Sequence, residues 1–174
     1  MEFSNCGKYR YRLHRTWDRT KPWVIFALLN PSTADAIADD PTVRRCIGFA
    51  KRWGCGSLAV LNVFALRSTD PKALKKADDP VGPKNAEAWS RCLKWVMRTN
   101  KEIDADWRNF VVCGWGTHAG LNRQDRKAMQ WIGDADHWIN KAYCLGETQD
   151  GFPRHPLYLP YYEKPVPYFG RAIQ

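Results

Sequence analysis

No apolar run in the 174-residue chain approaches the ~20 residues needed to cross a bilayer, so no membrane partner is expected. Residues Met1 to Arg15 carry charges throughout and have no apolar signal core, which points to a cytoplasmic protein. Cysteine is present six times, but no two of Cys6, Cys46, Cys55, Cys92, Cys113 and Cys144 lie within four residues of each other. Paired zinc-ligand spacing is therefore missing, an iron–sulfur cluster is poorly served, and reduced thiols are expected. There is no internal repeat, no phosphate-binding glycine loop and no dinucleotide fingerprint. No cofactor and no metal are expected. Acidic residues are the scarcer sign of charge, 18 against 27 Lys and Arg, a net charge of +9. That surplus favours a polyanionic partner, nucleic acid first, either single- or double-stranded DNA. Nine Trp, seven Tyr and seven Phe interleaved with basic residues suit base stacking as well as a core.

The length suits one domain with a proper core. Its central stretch is Val24 to Asp35, which begins as six apolar residues and breaks at Asn30-Pro31. Such a run reads as a strand buried on both faces, with Asn30 at its carboxyl end, where open α/β sheets bind ligands. A plain Asn-Pro turn explains the same residues. Before it, Lys8 to Trp17 alternates aromatic or apolar with basic residues, as an edge strand with a wet basic face would. After it, Asp40, Pro41 and Gly54 frame a helix as N-cap, first position and C-terminal cap, with Arg44, Arg45, Lys51 and Arg52 making it basic.

Ser57 to Val63 reads as a second buried strand with Asn62 near its end, an amide that is costly there unless hydrogen-bonded. A short helix after Asp70-Pro71, a long helix over Pro83–Arg98, a strand over Asn109–Gly116, a helix over His118–Ile132 and a fourth strand over Trp138–Leu145 follow. The tail, 151–174, holds five prolines from Pro153 to Pro167, which preclude a regular helix and argue against a core strand. The alternation predicts one α/β domain over residues 1–174: an α/β/α sandwich on a mostly parallel, four-stranded central sheet.

Four segments together resemble the uracil-DNA glycosylase superfamily. Leu28-Leu-Asn-Pro-Ser32 looks like the Gly-Ile-Asn-Pro-Gly motif of the mismatch-specific thymine/uracil branch, and Leu58 to Val63 is similar to the strand carrying the base-reading Asn. Phe110 to Gly116 resembles the strand ending in Trp-Gly, and His155-Pro-Leu-Tyr-Leu-Pro160 looks like the second catalytic motif, His-Pro-Ser-Pro-Leu-Ser. The whole chain more closely resembles an uncharacterised bacterial and phage family catalogued only as a domain of unknown function. The superfamily resemblance implies a uracil-DNA glycosylase-like fold and hydrolysis of the N-glycosidic bond of a flipped pyrimidine in DNA, 5-modified or mismatched, in repair or modified-base processing. It implies that Asn30 orients the water and that His155 donates to the leaving base. Asn62, with Leu29, Pro31 and Ser32, would form the base pocket. Leu159 would be the wedge, with Tyr158, Arg44 and Arg45 against DNA, in a monomer.

Departures stand beside it: Leu28 and Ser32 replace motif glycines, Leu157 and Tyr158 replace Ser-Pro, and Asp35, Asp39 or Asp40 is left to supply a carboxylate, Asp40 also being the helix cap. His118 reads as a capping or surface residue and Trp115 as core. A non-catalytic binder of a modified base, and an enzyme on free nucleosides or nucleotides, fit the same residues.

Overall fold

A computed structural model describes residues 1–34, 38–102, 111–134 and 142–170, with the side chains of 101 and 102 left undescribed. Asp35, the start of the strand expected from Asn109 and most of the segment 138–141 lie outside the described residues.

Two runs that cannot be solvated on either face make the centre. Trp23–Leu28 (β3) and Ser57–Asn62 (β4) are buried at every position and pair in parallel from Trp23↔Ser57 to Leu28↔Asn62. Val111–Cys113 (β5) pairs in parallel with the other edge of β3, and Ala142–Cys144 (β6) pairs in parallel with β5. On the far side of β4 lies Arg10–Thr16 (β2), antiparallel, followed by Glu2–Phe3 (β1), while Val166–Pro167 (β7) runs antiparallel to β6. The order is β1-β2-β4-β3-β5-β6-β7.

The expected four-stranded, mostly parallel sheet is thereby corrected. The described residues form a seven-stranded mixed sheet in which three of the six neighbouring pairs are antiparallel. Two of the added strands, β1 and β7, are two residues long, too short to carry a period of their own. Strand β7 includes a proline, which an edge tolerates because one side of the strand needs no donor. The strand β2 is not an edge. It lies between β1 and β4, so Arg10, expected on a wet face, is only 2% exposed.

The helix Pro41–Arg52 (α1) starts where Asp40 accepts the Val43 amide at 2.8 Å, carries Pro41 in its first turn, and ends before Gly54 at φ +77°. It covers one face, packing Val43, Cys46, Phe49 and Ala50 on Val24, Phe26, Leu28, Leu58 and Val60. A four-residue helix, Ala73–Lys76 (α2), follows β4. On the other face, Asn85–Glu102 (α3) and Gln124–Asp134 (α4) bury Trp89, Leu93, Val96, Ala128 and Ile132 against Ile25, Ala27, Ala59 and Leu61. The helix expected from His118 begins instead at Gln124. Residues Thr117–Arg123 form a 3₁₀ stretch broken at Asn122, which takes φ +53°.

Candidate functional site

Side-chain alternation decides which residues can meet. Residues 24, 26 and 28 of β3 and 58 and 60 of β4 face α1, so Asn62 faces α1 as well, beside its register partner Leu28. Leu29 points the other way, into the α3–α4 core, which removes its side chain from the pocket expected of it. The β3–β4 pairing continues past the strand ends, with the Val63 amide donating to Leu28 at 2.9 Å and the Phe64 amide to Leu29 at 2.9 Å.

Asn30 follows directly and is half-buried. Its Nδ2 donates to the carbonyls of Ser68 (2.8 Å) and Pro31 (3.1 Å), and the Pro31 carbonyl also accepts the Ser68 amide at 2.9 Å. The Asn30 nitrogen thus braces the loop against 68. Its Oδ1 has no printed neighbour among the described residues and remains an acceptor. Ser32 is half-buried beside it and Pro31 is buried.

Asn62 is 2% exposed. Its backbone carbonyl accepts Nδ2 of Asn85 and Nε1 of Trp89, each at 3.0 Å, which fixes the strand end from the α3 side. Its side chain meets Arg10, a residue that the alternation of Lys8 to Trp17 assigned to solvent. Arg10 donates through Nη1 to the Ala34 carbonyl at 2.8 Å and through Nη2 to Asn62 Oδ1 at 3.4 Å. Burial pulls the Arg10 pKa down to about 10, with the Asp40 charge opposing, so the guanidinium stays charged at neutral pH. No single-sequence pattern marks a basic residue as buried when its strand is covered by a distant two-residue one.

The His155 loop arrives from the tail. Pro156 and the Arg154 carbonyl lie on Gly114, immediately after β5, where an added Cβ would stand 2.7 Å from Pro156 Cδ and 3.3 Å from Leu28 Cδ2. Glycine is required there by close approach. His155 Nδ1 accepts the Leu157 amide at 3.3 Å and caps the 3₁₀ turn Pro156–Tyr158. An Nδ1 that accepts leaves the proton on Nε2. Burial lowers the His155 pKa, against the Asp40 charge, which keeps the ring neutral at pH 7. Asp40 lies within electrostatic reach of both Arg10 and His155, with its oxygens on the amides of Val43 (2.8 Å) and Ala34 (3.4 Å).

The structure therefore gathers Asn62, Arg10, Asp40 and His155 on the α1 face at the carboxyl edge of β3, β4 and β5, with Asn30 on the loop leaving β3. The residues expected to touch DNA divide. Leu159 is 1% exposed and packs in the α1-side core, so its side chain anchors the tail and does not project as a wedge. Tyr158, next to it, is 77% exposed. Arg44 is exposed and donates to the Asp39 carbonyl. Arg45 lies over the ring of Tyr161, 4.3 Å from its centroid, and Arg52 lies 5.0 Å from the same ring. That ring sits on Gly48, where a Cβ would be 2.4 Å from it, and packs edge-on against Phe49 at 5.1 Å. Asp39 pairs with Arg15 at 2.8 Å. His118 is exposed and Trp115 is buried on the α3–α4 side.

Burial raises the thiols of Cys55 and Cys92 to about 12 and about 11, which suits packing residues and not nucleophiles. Among the described residues no His, Cys, Asp and Glu cluster is placed to hold a metal, and no helix is long and apolar enough to cross a membrane.

Residues 10–157 match the family model described as Protein of unknown function (DUF1643), and the chain belongs to that family. No curated protein and no solved structure matches the chain, so the likeness to the uracil-DNA glycosylases rests on the motifs alone.

Proposed function

We propose that the protein hydrolyses the N-glycosidic bond of a pyrimidine base flipped out of DNA. The supporting observation is His155: a neutral imidazole, held by the Leu157 amide at Nδ1 and so presenting Nε2–H, over the same sheet edge as a buried Asn62. Base departure needs a donor aimed at the oxygen that gains charge, and a preorganised neutral donor answers that need. The sugar passes through a reactive oxocarbenium-like state, so the water needs orienting more than deprotonating. Asn30 Oδ1 can accept from such a water while Nδ2 holds the loop. The motif resemblance gives the same three residues the same roles. Tyr158, exposed beside the loop, and the basic α1 supply contacts to a strand.

The decisive assay is alkali cleavage of labelled oligonucleotides carrying uracil, thymine mismatches or 5-modified pyrimidines, in single and double strands. Cleavage at one base that is lost in Asn30→Ala and His155→Ala is expected. Equal cleavage by both folded variants, or none by the native chain, would sink the hydrolase. A second reading, a base-recognition module without catalysis, draws on the bracing of Asn30 through Ser68. It predicts salt-sensitive DNA binding and no abasic product.

A further inference from the structure

The buried pair Arg10–Asn62 carries information about what docks there. A guanidinium has donors and no acceptor. The Asn62 amide must therefore face Arg10 with Oδ1, as the 3.4 Å contact has it. That leaves Nδ2 turned away from Arg10, and it has no hydrogen-bond partner among the described residues. Both side chains are 98% removed from solvent, so the nitrogen is a buried donor with nothing to donate to. Such a group costs about 1–3 kcal/mol unless something meets it. The cost is avoidable: with Arg10 absent the amide could turn over, and its two ends would be interchangeable toward a ligand.

We infer that Arg10 is a positioning residue that commits Asn62 to donating, so that the ligand group docked against Asn62 is an acceptor, a ring carbonyl and not a ring amine. Arg10 touches no ligand in this scheme. It is held by the Ala34 carbonyl at 2.8 Å and acts through the orientation of a neighbouring amide. An amine placed against Nδ2 would set two donors face to face and leave both unpaired. A carbonyl would satisfy the one donor that the fold leaves open. The inference takes its location from the base pocket proposed above, but its test does not require cleavage.

The test is fluorescence-anisotropy binding of single-stranded oligonucleotides bearing one 2′-fluoro-2′-deoxyuridine or one 2′-fluoro-2′-deoxycytidine. The fluorine disfavours the sugar cation and blocks base release, and the two bases differ in carbonyl against amine at one ring position. The native chain is expected to bind the uracil probe at least about tenfold tighter, the equivalent of one unpaired buried donor. Arg10→Met should bring the two probes within about threefold, Arg10→Lys should restore most of the preference, and Asn62→Asp, which offers only acceptors, should invert it. Should Arg10→Met not fold, the inversion in Asn62→Asp decides. Equal binding by the native chain, a preference undiminished in folded Arg10→Met, or no inversion in Asn62→Asp overturns the inference. Carbonyl-selective binding without base release from the unfluorinated uracil oligonucleotide supports it while overturning the hydrolase. Base release without selectivity does the reverse.

Discussion

Two buried asparagines serve the two ends of the central strands in opposite ways. At the amino end of β3, Asn100 of α3 uses its whole amide: Oδ1 accepts the Trp23 amide at 2.7 Å and Nδ2 donates to the Trp23 carbonyl at 2.8 Å. At the carboxyl end of β4, Asn62 has its oxygen on Arg10 and its nitrogen on nothing described. Both residues are buried to the same degree. A fully paired amide is a brace, and its energy belongs to the fold. A half-paired one holds energy available to something that arrives later. Burial alone does not separate the two, and residue type does not either.

The largest effect should come from breaking the brace. Asn100→Ala strands both polar groups of a buried Trp23 and is expected to cost about 2–4 kcal/mol in urea denaturation, with oligonucleotide binding per folded molecule unchanged. Gly114→Ala comes next. Its Cβ would press on Pro156 and Leu28, so a loss of about 1–3 kcal/mol is expected, with loss of ligand binding beyond what stability explains. Asn62→Ala should cost less than Asn100→Ala, about 1 kcal/mol, because half of its amide has no partner to lose. If the order of the two asparagines is reversed, the distinction drawn between them is wrong.

The smallest effect is a slope. The folded pKa of His155 lies below its usual value of 6.5, so below about 6.5 the unfolded chain takes up more protons than the folded one. Stability contributed by the neutral ring is therefore complete above that value and is lost as pH falls through 6.5 toward the folded pKa. His155→Asn should flatten the acid slope without abolishing it, since burial lowers the pKa of His14 in the same direction.

What the sequence disclosed follows the range of the forces involved. The caps of α1 at Asp40, Pro41 and Gly54 are local chemistry and are legible without a fold. The runs Val24–Leu29 and Ser57–Val63 are legible because six apolar residues admit few environments. Asn30, Asn62 and His155 were legible as strand-end and loop residues. Arg10 was not, because its burial is decided by the neighbours of β2, and alternation reports a side chain's face but not what covers that face. The wedge at Leu159 was misplaced for a related reason: spacing from His155 gives its position along the chain, while α1 below draws its side chain inward. The strand β7 escaped because two residues of a proline-rich tail are recruited by β6 and not by any preference of their own.

Gly48 has a consequence for the length of the chain. A glycine inside a helix ordinarily weakens it by about 1 kcal/mol. Here it is the seat of Tyr161, and Phe49 beside it is covered by that ring. A chain truncated after Pro160 would retain every residue from Asn30 to His155, yet it would leave α1 with a bare glycine and an uncovered phenylalanine. Proteolytic trimming of the last fourteen residues is thus a change to the helix, and such a fragment should be judged by its tendency to self-associate before its activity is assayed.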